Sequence, residues 1–308
     1  MTLDNQSNDF PPRGSWDSHV HIFDEDHFPM HPHHAFHPRK ASLGSLQAFH
    51  RQIGIDHACL VAFSPYHTDN SSLLDALASP NCPDCAVACI NPGAVTDQEL
   101  RTLHEAGVRG VRINLCTRSE SFDGKIVIET ATRIRPLDWV LQIYLSLDQI
   151  VDLAPLVPGL GVRVVLDHIG APQADRGPAK SQQGYDEFMR LLREGWVWTK
   201  LSGIYRFPDL PDLDDYVTTI LQVAPDHVVW ASDWPHSGGA EANPDGDRDK
   251  VQDYREIDDH AWVKQCWRWC RQVEGGQGLL LADKIWRTNP QRLWQVIGDE
   301  QPKEKHVQ

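Results

Sequence analysis

Trp16-Asp17-Ser18-His19-Val20-His21-Ile22-Phe23 is an apolar run interrupted by two histidines two positions apart. Side chains alternate along a strand, so the pattern predicts that His19 and His21 point one way while Ser18, Val20 and Ile22 point the other. Val162-Arg163-Val164-Val165-Leu166-Asp167-His168 is a second apolar run, ending on a histidine. Val228-Val229-Trp230-Ala231-Ser232-Asp233 is a third, ending on an aspartate. The economical reading is one pocket lined by His19, His21, His168 and Asp233, each delivered by the end of a strand.

Between these runs, strand and helix patterns alternate. Further strands are expected at His57–Phe63, Cys85–Asn91, Val108–Leu115, Trp139–Leu145 and Trp196–Gly203. Helical spacing appears in Leu43–Gly54, Ser71–Ala78, 97–106, 124–136, Leu147–Leu156, Gly184–Glu194, Leu213–Ala224 and much of 258–297. Eight strand-helix alternations predict an α/β fold, a single (β/α)8 TIM barrel over 15–298, between a flexible tail at 1–14 and a polar tail at 299–308. The length of 308 residues suits one such barrel of about 250 residues with extensions.

In this fold, functional groups gather at the C-terminal ends of the strands. Ser64, Arg112, Arg118, Tyr144, His168, Arg206 and Asp233 all fall at or just past expected strand ends, so they should ring one mouth. Arg112 shares a strand face with Asn114. A strand buried on both faces has little reason to carry an arginine unless an anion or carboxylate meets it. The structural alternatives are an ion pair for Arg112, a satisfied core hydroxyl for Tyr144 and a turn for Ser64.

The formal net charge of −14 argues against nucleic acid as a partner, because phosphates need a positive field. A local arginine cluster can still bind a small anion. No apolar run is long enough to span a membrane, and the first fifteen residues lack a signal-peptide pattern, so a cytoplasmic enzyme is expected. The seven cysteines show no disulfide-domain spacing. Cys82-Pro83-Asp84-Cys85 looks like half a zinc knuckle, but no second pair follows. The histidine- and proline-rich segment 27–37 reads as a stiff loop, whether a metal-binding tract, a flap over the pocket or simply solvated. Nothing in the sequence sets an oligomeric state.

The ordered set of His19-x-His21, a later strand-end histidine and a final strand-end aspartate resembles the amidohydrolase superfamily. Arg112 through Arg118, Tyr144, Val165-Leu166-Asp167-His168-Ile169-Gly170 and Trp230-Ala231-Ser232-Asp233-Trp234-Pro235-His236 are more narrowly similar to the 2-pyrone-4,6-dicarboxylate lactonases and related sugar lactonases. Many superfamily members place a lysine on the fourth strand and a histidine on the fifth; here Arg112 and Tyr144 stand there, so a binuclear metal site is not expected.

The resemblance implies opening of a carboxylated lactone ring in aromatic-acid breakdown. Asp233 would activate water, His19, His21 and His168 would stabilise the carbonyl, and Arg112, Arg118, Tyr144, Arg206 and Ser64 would bind the substrate. Lactone hydrolysis needs such an activated water and a stabilised oxyanion, and planar guanidinium forks suit carboxylates. No cofactor is the favoured expectation. The alternative is one divalent ion, zinc or manganese, on His19, His21, His168 and Asp233, which would suit a sugar-lactone hydrolase. A decarboxylase of the same superfamily and a barrel that binds a ligand without catalysis are further alternatives.

Overall fold

The structure is a computed structural model, and it describes residues 11–117, 121–276 and 278–295. Eight parallel strands follow one another around a sheet in sequence order: β1 Trp16–Val20, β2 His57–Val61, β3 Cys85–Ala88, β4 Val108–Asn114, β5 Val140–Tyr144, β6 Val164–Leu166, β7 Val197–Leu201 and β8 Val228–Trp230. Every neighbouring pair is parallel, from β1 with β2 to β7 with β8. Parallel neighbours need crossovers, and helices supply most of them. They include Leu43–Ile53, Ser71–Ala78, Asp97–Ala106, Gly124–Ile134, Tyr185–Arg193 and Leu213–Val223. Their bounds follow local chemistry. Asp97–Ala106 begins at a capping box of Thr96 with Glu99 and ends at Gly107 in the left-handed conformation.

Two helical expectations change in detail. Leu147–Leu156 is broken into a 3-10 turn at Leu147–Gln149 and one α-turn at Ile150–Leu153. The C-terminal segment passes through Asp259–Glu274, Leu279–Asp283 and a π-helical stretch Lys284–Thr288 before Asn289–Trp294. That last helix brings Leu293 and Trp294 into the barrel lumen, where they join Trp16, Cys59, Val61, Cys85, Val87, Val140, Val165, Trp198 and Val229. The alternate residues of the same strands pack outward: Leu60, Ala86, Leu141, Val164 and Leu166 belong to the larger cluster under the helices.

Strand β1 departs from simple alternation. Trp16 and Asp17 pair with His57 and Ala58, but Val20 pairs with Leu60, so β1 fits three steps against two and carries a bulge. The Ser18 hydroxyl accepts from the indole of Trp294 at 3.3 Å, so Ser18 faces the lumen rather than away from it. Asp17 instead takes the outer side, where its carboxylate meets His50 at 3.3 Å and accepts from the Ser232 amide at 2.9 Å.

Candidate active site

The barrel closes where its site is built. The Asp233 N–H donates to the His19 carbonyl at 3.1 Å and the His21 N–H to the Trp234 carbonyl at 2.9 Å, just beyond the regular end of β8. Val20 and Trp234 form the corresponding bridge. Both β6 and β8 are shorter than expected, because the chain leaves extended geometry at the residues that matter. His168, Ile169 and Ala171 have φ of 51°, 50° and 46°, and Asp233 has φ of 63°. Such backbone is costly for non-glycine residues, at about 1–3 kcal/mol each.

At β6 the consequence is direct. In an uninterrupted strand Asp167 would share the lumen face with Val165, and His168 would point outward. The left-handed turn folds His168 back, so two consecutive residues both reach the site.

His19, His21, His168 and Asp233 are brought together and are all buried. The Nε2 atoms of His19 and His21 lie 3.1 Å apart. Asp233 Oδ1 is 3.6 Å from His19 Nε2 and 3.9 Å from His21 Nε2, while Oδ2 is 3.8 Å from His168 Nε2. The outer nitrogens are anchored: His21 Nδ1 on the Val61 carbonyl at 2.8 Å, and His168 Nδ1 on the Ser202 hydroxyl at 2.9 Å. His168 Nε2 and Asp233 Oδ1 are buried without a hydrogen-bond partner, so both are available to a bound molecule.

Electrostatics keep the imidazoles neutral. Burial pushes His21 down to about 3, helped by Arg112, and His168 down to about 4, against the opposing pull of Asp233. Burial, then Lys200, hold His19 well below its ordinary value. Burial would raise the Asp233 carboxyl, but Arg206 and, after it, the surrounding histidines together hold that carboxyl well below the usual range.

Around this group stand the expected binding residues. Tyr144 sits edge-on to the His168 ring at 4.8 Å, with the guanidinium carbons of Arg112 and Arg206 at 5.8 and 6.0 Å from its ring centre. Burial pushes the Tyr144 hydroxyl up to about 12, so it stays a donor. Tyr144 and Arg206 also wall a cavity of about 500 Å³, whose lining includes neither the three histidines nor Asp233. Ser64, in a 3-10 turn just past β2, accepts from the Asn114 amide at 2.8 Å. Arg118 lies outside the described residues.

Arg206 is not a free clamp in this geometry. Its Nη2 and Nε donate to Asp233 Oδ2 at 2.8 and 3.1 Å, and the Tyr205 hydroxyl donates to the same oxygen at 2.5 Å. Arg112 Nε lies 3.4 Å from Asp167 Oδ2 and has no hydrogen-bond partner.

Sequence reasoning missed the layer beneath. Lys200, Gln142 and Asp167 are fully buried in the lumen under the histidines. Alternation was the available signal: Gln142 stands two residues before Tyr144, and Lys200 two before Ser202. Arg255 was missed as well; it lines the cavity, its guanidinium carbon is 5.3 Å from the Tyr205 ring centre, and its Nη1 is buried without a partner. The Cys82-x-x-Cys85 pair is split, with Cys82 exposed and Cys85 buried in the lumen. The loop after β1 is tied down by a two-residue pairing of His37–Pro38 with Val251–Gln252. Its Phe36 packs edge-on to Phe63, which stacks on the His21 ring at 4.6 Å.

The donor set suits a divalent ion in kind. His19, His21 and Asp233 each offer a ligand atom, all within 4.8 Å of one another, and the partnerless Asp233 Oδ1 is among the atoms that would meet such an ion.

A parallel eight-stranded barrel presenting two histidines from β1, a third after β6 and an aspartate after β8 defines an enzyme of the hydrolytic α/β-barrel class. The chain belongs to the amidohydrolase family, whose profile matches residues 16–295. It is 30% identical over 249 residues to a 2-pyrone-4,6-dicarboxylate hydrolase of Comamonas testosteroni, covering 76% of this chain and 81% of that one. It is 29% identical over 235 residues to a 4-sulfomuconolactone hydrolase of Rhizobium radiobacter, covering 74% and 77%. The fold matches the apo structure of an Agrobacterium tumefaciens protein with a TM-score of 0.73 at 19% identity, covering 92% of this chain and 96% of that one. No helix among the described residues is long and apolar enough to cross a membrane.

Proposed function

We propose that this protein hydrolyses a small lactone bearing carboxylate groups, of the 2-pyrone-4,6-dicarboxylate kind, in the breakdown of aromatic acids. The observation that carries the reading is the division of labour on Asp233. One oxygen is held by Tyr205 and Arg206, and the other faces the imidazoles with no partner. The held oxygen fixes the carboxylate's orientation, and Oδ1 is left to take a proton from an attacking water. His19 and His168 then donate to the carbonyl oxygen as it gains charge in the tetrahedral intermediate. His21, whose Nδ1 hydrogen is committed to the Val61 carbonyl, acts as an acceptor that orients its neighbours. Collapse of the intermediate breaks the ring C–O bond, and the proton taken by Asp233 passes to the leaving oxygen.

Arg112, Arg206 and Tyr144 wall the site with two planar cations and a phenol, a set that suits a flat, anionic ring better than a neutral sugar lactone. Arg118 completes the clamp in this reading. Ser64, whose hydroxyl hydrogen is left over after it accepts from Asn114, supplies one further donor.

If a divalent ion binds, His19, His21, His168 and Asp233 would hold it, and it would supply polarisation of the carbonyl. We infer that the reaction proceeds without one, because the neutral imidazoles already carry a donor to the carbonyl and the arginines already neutralise the substrate. The deciding experiment compares turnover of pyrone dicarboxylates, other carboxylated or sulfonated lactones and neutral sugar lactones by the purified protein. Preference for a neutral sugar lactone would defeat the proposal.

A further inference from the structure

Lys200 of β7 is fully buried in the middle of the barrel, a position where a lysine persists only if its hydrogens are satisfied. Below it lies the Trp294 ring, 5.4 Å from Nζ. Beside and above it are Gln142 Oε1 at 2.7 Å, His19 Nδ1 at 3.2 Å and Asp167 Oδ1 at 3.5 Å. Gln142 is oriented by Asp167, because its Nε2 donates to Oδ2 at 3.0 Å and so turns Oε1 toward the lysine. Lys200 therefore donates to Gln142 Oε1 and is ion-paired with Asp167 Oδ1, and a lysine ammonium, which has hydrogens to give and no lone pair, meets His19 Nδ1 as a donor.

The opposite end of the His19 ring supplies an independent constraint. Its Nε2 is 3.1 Å from His21 Nε2, and a single hydrogen must lie between two ring nitrogens at that distance. His21 Nδ1 meets the Val61 carbonyl at 2.8 Å, and a carbonyl only accepts. Neutral His21 therefore keeps its hydrogen on Nδ1 and is bare at Nε2. The shared hydrogen belongs to His19 Nε2, which leaves His19 Nδ1 bare, and Nδ1 is the atom facing Lys200. Both ends of the ring demand the same tautomer.

We propose that Lys200 is a positioning residue that holds His19 in its Nε2–H form, whose hydrogen rests on His21 Nε2 in the free protein and is shared with the substrate carbonyl when it binds. The catalytic meaning rests on the lactone-hydrolase reading, whereas the tautomer does not. Asp167 Oδ1, 3.4 Å from His19 Nδ1, provides the alternative state. Without Lys200 only the His21 end still favours Nε2–H, and the Asp167 carboxylate competes for the hydrogen, so His19 would shift toward donating from Nδ1 to Asp167 with a bare Nε2, the carboxylate-backed form that suits a metal ligand. Lys200 biases His19 toward the donor and away from the ligand.

The test is a long-range nitrogen–hydrogen NMR correlation on chelated protein labelled with ¹⁵N-histidine, with His19 assigned by the signals lost in His19→Gln. The wild type should show His19 as the Nε2–H tautomer. Lys200→Met, or Lys200→Leu if the first does not fold, should shift it toward Nδ1–H, lower kcat by about 10-fold or more with KM little changed, and tighten zinc binding measured by calorimetry. A wild-type His19 with its hydrogen on Nδ1 would overturn the proposal without any variant. So would a folded variant that loses stability but keeps both the tautomer and kcat. If the wild type shows the expected tautomer yet hydrolyses no carboxylated lactone, the functional reading fails and the assignment of Lys200 stands.

Discussion

The main-chain N–H of Asp233 donates to the main-chain carbonyl of His19 across 3.1 Å, so the seam that completes the barrel runs between two residues of the site. Backbone joins β1 to the segment after β8 at these two residues, and the Asp17 carboxylate adds a tie to Ser232 outside the site. A change in either side chain can therefore alter the chemistry while the closure persists.

Asp233→Asn keeps shape and removes basicity. Turnover should fall by about 10²-fold or more while the circular dichroism spectrum is retained. Near-normal turnover in the folded variant would remove Asp233 from the role of base.

Arg206 both lowers the Asp233 carboxyl and, in our reading, meets a substrate carboxylate. In Arg206→Met the opposing charge is gone and burial raises that carboxyl. Because the base must be ionised, the acid limb of kcat/KM should move to higher pH, and binding should weaken by about 2–4 kcal/mol. Lysine should restore only part of the binding, lacking the planar fork. An unmoved acid limb would show that Arg206 does not tune Asp233.

Gly203 precedes the turn that carries Tyr205 and Arg206, and it has φ of +64°. A Cβ there would stand 2.7 Å from His168 Nδ1 and 2.8 Å from its Cγ. Gly203→Ala should displace His168 and cost about 10-fold or more in kcat. Gly177→Ala is the control, since φ is +80° but nothing lies within 4 Å of the added carbon. Equal loss of activity in the two variants would mean that backbone strain, not the clash, is responsible.

Stability should depend on pH in a defined direction. His21 and His168 titrate at about 3 and about 4 when folded and at about 6.5 when unfolded. Between those limits the unfolded chain binds more protons, so stability rises with pH through this window and falls as pH drops below about 6.5. Asp167 and Asp233, both held low in the fold, add a further loss below about 4. Urea midpoints measured from pH 8 to pH 4 should decline, steepening below about 6.5; a flat profile would contradict the buried neutral imidazoles.

Exhaustive chelation should leave lactone turnover intact, with elemental analysis confirming removal of metal. Loss of activity restored by stoichiometric zinc or manganese would show that His19, His21, His168 and Asp233 act as ligands, and would favour the sugar-lactone reading.

The order of strands and helices, and with it the barrel, is legible in the chain itself. Apolar runs such as Val162–Leu166 and capped helices such as Asp97–Ala106 are local patterns, written in adjacent residues. The barrel rule then carries strand-end polar residues to one mouth, which is why spacing alone groups His19, His21, His168 and Asp233. Which hydrogen each of those groups carries, and which partner holds it, is settled only once the chain has folded. The bulge that lets both Ser18 and His19 face inward and the left-handed turn that brings Asp167 and His168 to the same place break the alternation on which sequence reading depends. The pairing of Arg206 with Asp233 and the approach of Gln142, His19 and Asp167 to Lys200 join residues from separate strands. Hydrogen bonds act over about 3 Å, and such distances are set by how the strands twist and close, not by spacing along the chain.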